Sequence, residues 1–502
     1  MVVEELKTLL TAYVYDPELK DEANRREENY WYEYIKEIID QLGLRAEEVS
    51  GRCLDDHHLR NLDVLILGDP TAGELRDAAK SLETWVQGGG ALIGFAVEGL
   101  DHIFGNTYFA TTYQVDDYTL SGYFDLKPSP LTEEIHSPLA PDQKLLIYSD
   151  IRNVKTKSST ELGHLYGIQG VDHGFSAITE RRYGLGYAYY FAFNVPKTVW
   201  VLHQGRPVEK DLDGDGRCTT RDLSVIGSNS TKVLYADELL YLLQNMIGRK
   251  RQPLIHQIPP KGGVIPKALF YWGGDDEGIN TQVEASNWME TLGLPYHINI
   301  LHPNFNLTSE QAKEILRNGH EISLHYNFVD EKFKVIPEKF TRESVHIQAS
   351  AFKEKYGLIP VCTVNHGSPW LNGEELALWL MEVGGCADNT FVPPHYGEPS
   401  PNFGFGTSYP FHFYRGFKGR NAKIDFIEEP ISCYEAGYDS ERVYPETLST
   451  IVKMAAKYHL LINMFYHSYR IAGWPTCKQA IKEFLKCIAK ENVKVVHMAN
   501  NE

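Results

Sequence analysis

Buried-strand runs alternate with amphipathic stretches along nearly the whole chain. In the first half, apolar runs at 9–15, 61–68 and 91–95 read as strands. Residues 27–42 carry Tyr30, Tyr34, Ile35, Ile38, Ile39 and Leu42 at helical spacing, and 74–87 form a second amphipathic helix. Glycines 88–90 are suited to its C-cap, and Asp69-Pro70 opens a turn. Strand, helix, strand, helix, strand predicts a parallel sheet with helices on both faces. A helix over 235–247 closes this half. The basic, Pro/Gly-rich stretch 248–263 then reads as a linker, giving domains at 1–250 and 265–502.

The second half repeats the alternation. Strands are predicted at 268–272, 296–301, 320–325, 360–364 and 460–465, and helices at 280–292, 308–319 and 477–489. Thr308 or Ser309 caps the second helix, with Gln311 placed for a capping box. Five chemistry-bearing residues follow strand ends: Asp275, Asp276, His325, His366 and His467. A β/α layout carries such ends to one mouth, where ligands bind. Adjacent Asp residues repel unless a cation or a shared proton absorbs their charge. Three imidazoles beside them point to a divalent metal.

Composition narrows the function. A chain of 502 residues is too long for one ordinary core. A net charge of -18 disfavours nucleic acid and anionic membrane as partners. Seven cysteines without a CxxC pair fit a reducing compartment, not a disulfide framework or zinc ribbon. With no signal-like N-terminus and no long apolar run, a cytoplasmic location is expected. An edge of either sheet could pair with a second copy. Asp211, Asp213, Asp215, Arg217 and Asp222 occupy positions one, three, five, seven and twelve of a calcium-loop pattern, with Gly216 at the sharp turn. A structural calcium ion is one reading, and an acidic hairpin tip is the other. Trp272, Trp370 and Tyr466 flank the ligand candidates and could stack on a sugar ring or pack in the core. A loop over 387–396, with Asp388, His395 and Tyr396, lies near the predicted mouth.

Residues 265–495 resemble the NodB-homology polysaccharide deacetylases, carbohydrate esterase family 4. The matching stretches are Asp275-Asp276-Glu277-Gly278, the 319–325 segment ending in His325, and the 463–467 segment ending in His467. The resemblance implies Asp275 as general base, Asp276 and His325 as metal ligands, and His467 as general acid. Val329 stands where the family has its second ligand His, and Asn365-His366-Gly367 replaces an Arg-x-Pro motif. His366 is therefore expected to complete the set. Zinc is the expected ion and an N- or O-acetylated carbohydrate the expected substrate. A glycoside hydrolase on a related barrel, or a non-catalytic sugar-binding protein, are the alternatives. The first half is similar to class I glutamine-amidotransferase-like domains of the trehalose-utilisation type, on the 62–70, 82–95 and 181–193 segments. Its 95–99 turn lacks the nucleophilic Cys, so this half is expected to be non-catalytic. The implied architecture is α/β: a flavodoxin-like doubly wound parallel sheet followed by a distorted (β/α)7 barrel.

Overall fold

Five strands form the parallel centre of the first sheet: β1 (Leu10–Val14), β2 (Ala46–Val49), β3 (Leu62–Gly68), β4 (Ala91–Phe95) and β5 (Gly186–Phe191). Their order is β2-β1-β3-β4-β5. The computed structural model describes residues 10–68, 72–133, 135, 140, 142–227, 231–250, 260, 263–392, 402–437 and 443–501. The turn at Pro70, most of the 248–263 linker, and His395 and Tyr396 lie outside the described residues. Beyond β5 the sheet continues through antiparallel strands, beginning with the hairpin partner Asp172–Tyr183, to eleven strands in all. The expected parallel layout is thus a core that hairpins extend. The predicted 27–42 helix starts later than its apolar spacing suggests: a 3-10 turn, Trp31–Tyr34, leads into Ile35–Gln41. At the end of β4, Ala96 has φ 51, so the turn after the strand is sharp.

The second sheet curls into a partial barrel. Its strands are β6 (Ala268–Asp275), β7 (His297–Leu301), β8 (Glu321–Tyr326), β9 (Cys362–Asn365), β10 (Ala387–Asp388), β11 (Lys423–Glu428), β12 (Cys433–Tyr434) and β13 (Leu461–Phe465). The order is β11-β10-β9-β8-β7-β6-β13-β12, parallel throughout, with Phe411–Tyr414 added antiparallel beside β11. Every residue of β6 is buried, as expected for a barrel strand covered on both faces. The register pairs Asp275 with Asn299, and Leu301 with His325. This pairing brings the C-terminal ends of successive strands to one rim. Thr308 and Gln311 form the predicted capping box at the start of Ser309–Arg317. Gly274 is required by close approach, since a Cβ there would stand 1.7 Å from the Tyr466 carbonyl oxygen. That contact seats the end of β13, and hence His467, against the end of β6.

Each sheet has its own hydrophobic core, and the two halves exchange parts. Val208, Cys218, Leu223 and Leu234 belong to the barrel core, while Tyr414 packs into the first core. Among the described residues, no helix is long and apolar enough to cross a membrane.

Candidate active site and metal centre

The rim at the ends of β6, β8, β9 and β13 gathers Asp275, Glu277, His325, His366 and His467. One nitrogen or oxygen from each of Glu277, His325 and His366 lies within 4.8 Å of the others, and Asp275, Glu277 and His467 form an overlapping group. His325 Nδ1 faces the Val364 carbonyl oxygen at 3.1 Å. A carbonyl only accepts, so Nδ1 carries a proton and Nε2 is the nitrogen turned to the centre. His325 Nε2 is 3.2 Å from His366 Nδ1, 3.5 Å from Asp275 Oδ2 and 3.5 Å from Glu277 Oε1. His366 Nδ1 is 3.3 Å from Glu277 Oε2.

These spacings test whether the donors fit an ion. Charge-assisted hydrogen bonds settle at about 2.7–2.9 Å. A tetrahedral zinc with bonds of about 2.0–2.1 Å separates its ligand atoms by about 3.3–3.4 Å. The distances of 3.2 to 3.5 Å around His325 match the second figure better than the first. Donor type agrees, because imidazole and carboxylate suit zinc and its neighbours in the transition series.

The electrostatics also call for positive charge. Asp275, Glu277 and Glu435 bring three carboxylates to a largely buried site. Burial pushes the Asp275 carboxyl up, with His325 and His467 acting against it. Burial also pushes Glu277 up, but hydrogen bonds to His325, His366 and His467 outweigh it and hold the group well below the usual carboxylate range. Burial lowers His325, yet the Asp275 and Glu277 carboxylates prevail and raise it to about 9. His467 is driven well above its ordinary value against burial, by Glu435 first and then Glu277. In the absence of a cation, protons on His325 and His467 balance the carboxylates.

Asp276 is placed differently from expectation. It is fully buried, its Oδ1 accepts from the backbone N–H groups of Gly278 (3.0 Å) and Leu301 (2.9 Å), and its Oδ2 accepts from Gln282 Nε2 (2.8 Å). The carboxylate ties β6 to β7 and stands outside the donor group, where Glu277 takes its place. Glu277 has φ 51, a left-handed conformation costing a non-glycine residue about 1–2 kcal/mol. Strain of this sort collects at functional sites. Glu435 (φ 39), just past β12, is the second such carboxylate at the site. It accepts at 2.8 Å from both the backbone N–H and Nδ1 of His467, leaving Nε2 3.4 Å from Glu277 Oε1. Sequence reasoning missed Glu435 because β12 is only two residues long.

The proposed sugar platform is corrected by burial. Trp272 and Trp370 are 0% exposed and Tyr466 is 1% exposed. Tyr466 stacks on Trp272, and Trp370 stacks on Phe413. Their polar atoms are also occupied, by His497, the Gly373 carbonyl and the Ala436 carbonyl. The rings lining the cavity at this rim, which has a volume of about 500 Å³, are Phe333, Tyr434, Phe465 and Tyr469. In the calcium-like turn, Asp211, Asp213 and Asp215 cluster. Asp222 stands apart, capping Thr220–Leu223 through Thr219 N–H and accepting from the N–H groups of Leu212 and Asp213. The backbone N–H of Arg217 donates to Asp215.

No protein-family model matches the chain, and no curated protein matches it. Similar solved structures include a Mycobacterium smegmatis protein provisionally assigned as a polysaccharide deacetylase, at 15% identity and TM-score 0.35, covering 50% of this chain and 92% of that one. An allantoinase matches at 14% identity and TM-score 0.33, over 47% and 88% of the two chains. A β-galactosidase from Bacillus circulans matches at 16% identity and TM-score 0.27, over 37% of this chain and only 28% of its own length.

Proposed function

We propose that the protein is a metal-dependent hydrolase that removes acetyl groups from an N- or O-acetylated carbohydrate. The supporting observation is the Glu277, His325 and His366 group, whose mutual spacings suit a tetrahedral divalent ion. These three side chains would hold the ion, with Asp275 beside them. Such an ion, zinc in this reading, supplies Lewis-acid polarisation of an acyl carbonyl and of water.

The chain's own groups do the rest. Asp275 Oδ1 is buried and has no hydrogen-bond partner among the described residues. It is the base that takes a proton from the attacking water. His467 lies close to Asp275 and Glu277 with Nδ1–H held by Glu435, which fixes the ring and stabilises its protonated form. Its Nε2–H gives a proton to the departing amine or alkoxide. The cavity of about 500 Å³ suits a sugar unit and its acyl group.

The test is acetate release from acetylated oligosaccharides by purified protein, abolished by a chelator and restored by added zinc. Release of reducing sugar without acetate would move the reading to a glycoside hydrolase. Binding without turnover in the zinc-loaded protein would move it to a sugar-binding role.

A further inference from the structure

The calcium-like segment belongs to the first half in sequence but to the barrel mouth in space. Its apolar residues Val208, Cys218 and Leu223 are part of the barrel core. Hydrogen bonds fasten it there as well. Thr220 N–H donates to the Ser368 carbonyl at 2.9 Å, and Thr220 Oγ1 accepts from Val392 N–H at 3.2 Å. Asn372 N–H donates to the Val208 carbonyl at 3.1 Å. An exposed loop serving only itself would need none of these anchors.

The anchored segment delivers two guanidinium groups. Arg217 and Arg221 line the same cavity as Asp275, Glu277 and His467. Arg217 lies over the Phe333 ring, 4.8 Å from its centroid, and Phe333 in turn packs on His366 at 5.1 Å. The positive group is therefore two rings from the metal centre. Among the described residues, no carboxylate forms an ion pair with Arg217, so its charge is not spent on Asp275, Glu277 or Glu435. Arg221 is 3.6 Å from Asp215 of its own turn, which holds it at the rim. A half-buried guanidinium stacked on a ring presents its N–H fork to a planar or tetrahedral oxyanion.

We propose that residues 208–224 form a rim of the catalytic cavity, and that Arg217 and Arg221 select a substrate whose sugar carries an oxyanion, either a carboxylate or a phosphate ester. The inference rests on the hydrolase reading for its substrate, but the anion site itself can be measured separately. The chain's net charge of -18 would repel such a substrate from most of the surface, so its recognition would depend on the two guanidinium groups at this rim.

The test uses the zinc-loaded full chain, Arg217→Gln, Arg217→Lys and Arg221→Gln, with thermal unfolding to establish that each variant is folded. Acetate release is compared on acetylated oligogalacturonate, on N-acetylglucosamine 6-phosphate and on neutral N-acetylglucosamine oligomers. In parallel, calorimetry follows binding of unacetylated digalacturonate and of glucose 6-phosphate. Loss of one charge-assisted contact is expected to raise KM and Kd for the anionic ligands by about 10- to 100-fold in Arg217→Gln, with kcat little changed. Neutral oligomers should respond by less than about threefold, a change too small to represent a lost charge-assisted hydrogen bond. Arg217→Lys keeps the charge without the fork, and partial retention on the phosphate but not the carboxylate would identify a carboxylate-bearing sugar as the better fit. Acetate release that shows no Arg217-dependent preference for charge would overturn the rim while leaving the hydrolase intact. Anion binding that depends on Arg217, with no acetate released from any substrate, would retain the rim and overturn the hydrolase.

Discussion

Replacing Glu277 by Gln should cost the protein its metal, whereas replacing Asp276 by Asn should not. The carboxylate of Glu277 stands 3.3 to 3.5 Å from nitrogens of His325, His366 and His467. An ion among them would lie about 2.1 Å from its oxygen. Two unit charges at about that separation interact by about 8 kcal/mol at an effective dielectric of about 20. Since 24% of the Glu277 side chain is exposed, solvent screening takes away roughly half, leaving about 4 kcal/mol. That corresponds to a zinc dissociation constant raised about 10³-fold, and by more for a doubly charged ion. Asp276 works through three hydrogen bonds, two from backbone and one from Gln282. An Asn there keeps the oxygen that faces the backbone donors. Gln282 can turn its buried, unpartnered Oε1 toward the new amide. The cost should be about 1–3 kcal/mol of stability, from weakened charge-assisted bonds, with zinc affinity nearly unchanged. Chelator competition measures the first quantity and thermal unfolding the second. If Asp276→Asn loses zinc while Glu277→Gln keeps it, the donor set has been drawn around the wrong carboxylate.

Other outcomes follow from the same geometry. His366→Ala should lower bound zinc below one per chain at micromolar free metal, and unchanged stoichiometry would remove His366 from the ligand set. His467→Ala should reduce acetate release by about 10²–10⁴-fold with zinc content intact, and Glu435→Gln by about 10–100-fold, because Glu435 acts through His467. Inside the barrel, burial pushes Asp388 up to about 7 and Glu429 up to about 8. The folded state therefore binds more protons than the unfolded state between pH 4 and 8, and stability falls as pH rises through that window, by at most about 1.4 kcal/mol per pH unit per group. Asp388→Asn should gain on the wild type steadily from pH 5 to pH 7 in thermal unfolding and level off above that. A difference that does not change with pH would contradict this.

Much of the site was legible in the sequence because buried parallel strands announce themselves as unbroken apolar runs. The first polar residues past them, Asp275, His325, His366 and His467, then fall at the mouth. What was not legible depends on turn conformation. Adjacent Asp275, Asp276 and Glu277 cannot be sorted by spacing alone; the left-handed backbone at Glu277 puts its carboxylate among the imidazoles, while Asp276 is claimed by Gly278, Leu301 and Gln282. Gly278 was the available hint, since it prolongs a left-handed turn that begins one residue earlier. The aromatic residues left two readings open because a ring beside a ligand in sequence faces the opposite side of a strand as often as the same side. Trp272 and Tyr466 pack together in the barrel core for that reason. Arg217 and Arg221 were hidden in a segment that reads as a self-contained cation loop, and only tertiary packing carries it to the barrel. The antiparallel extension of the first sheet was hard to read because its strands mix exposed and buried positions irregularly, as in Asn106–Thr112.

The most direct test is diffraction from crystals grown with zinc, with anomalous data collected on both sides of the zinc absorption edge. The site described above predicts one strong peak bounded by Glu277, His325 and His366, with Asp275 at its side and Asp276 turned away. A peak ligated by Asp276, or none at the barrel mouth in protein that releases acetate, would contradict it.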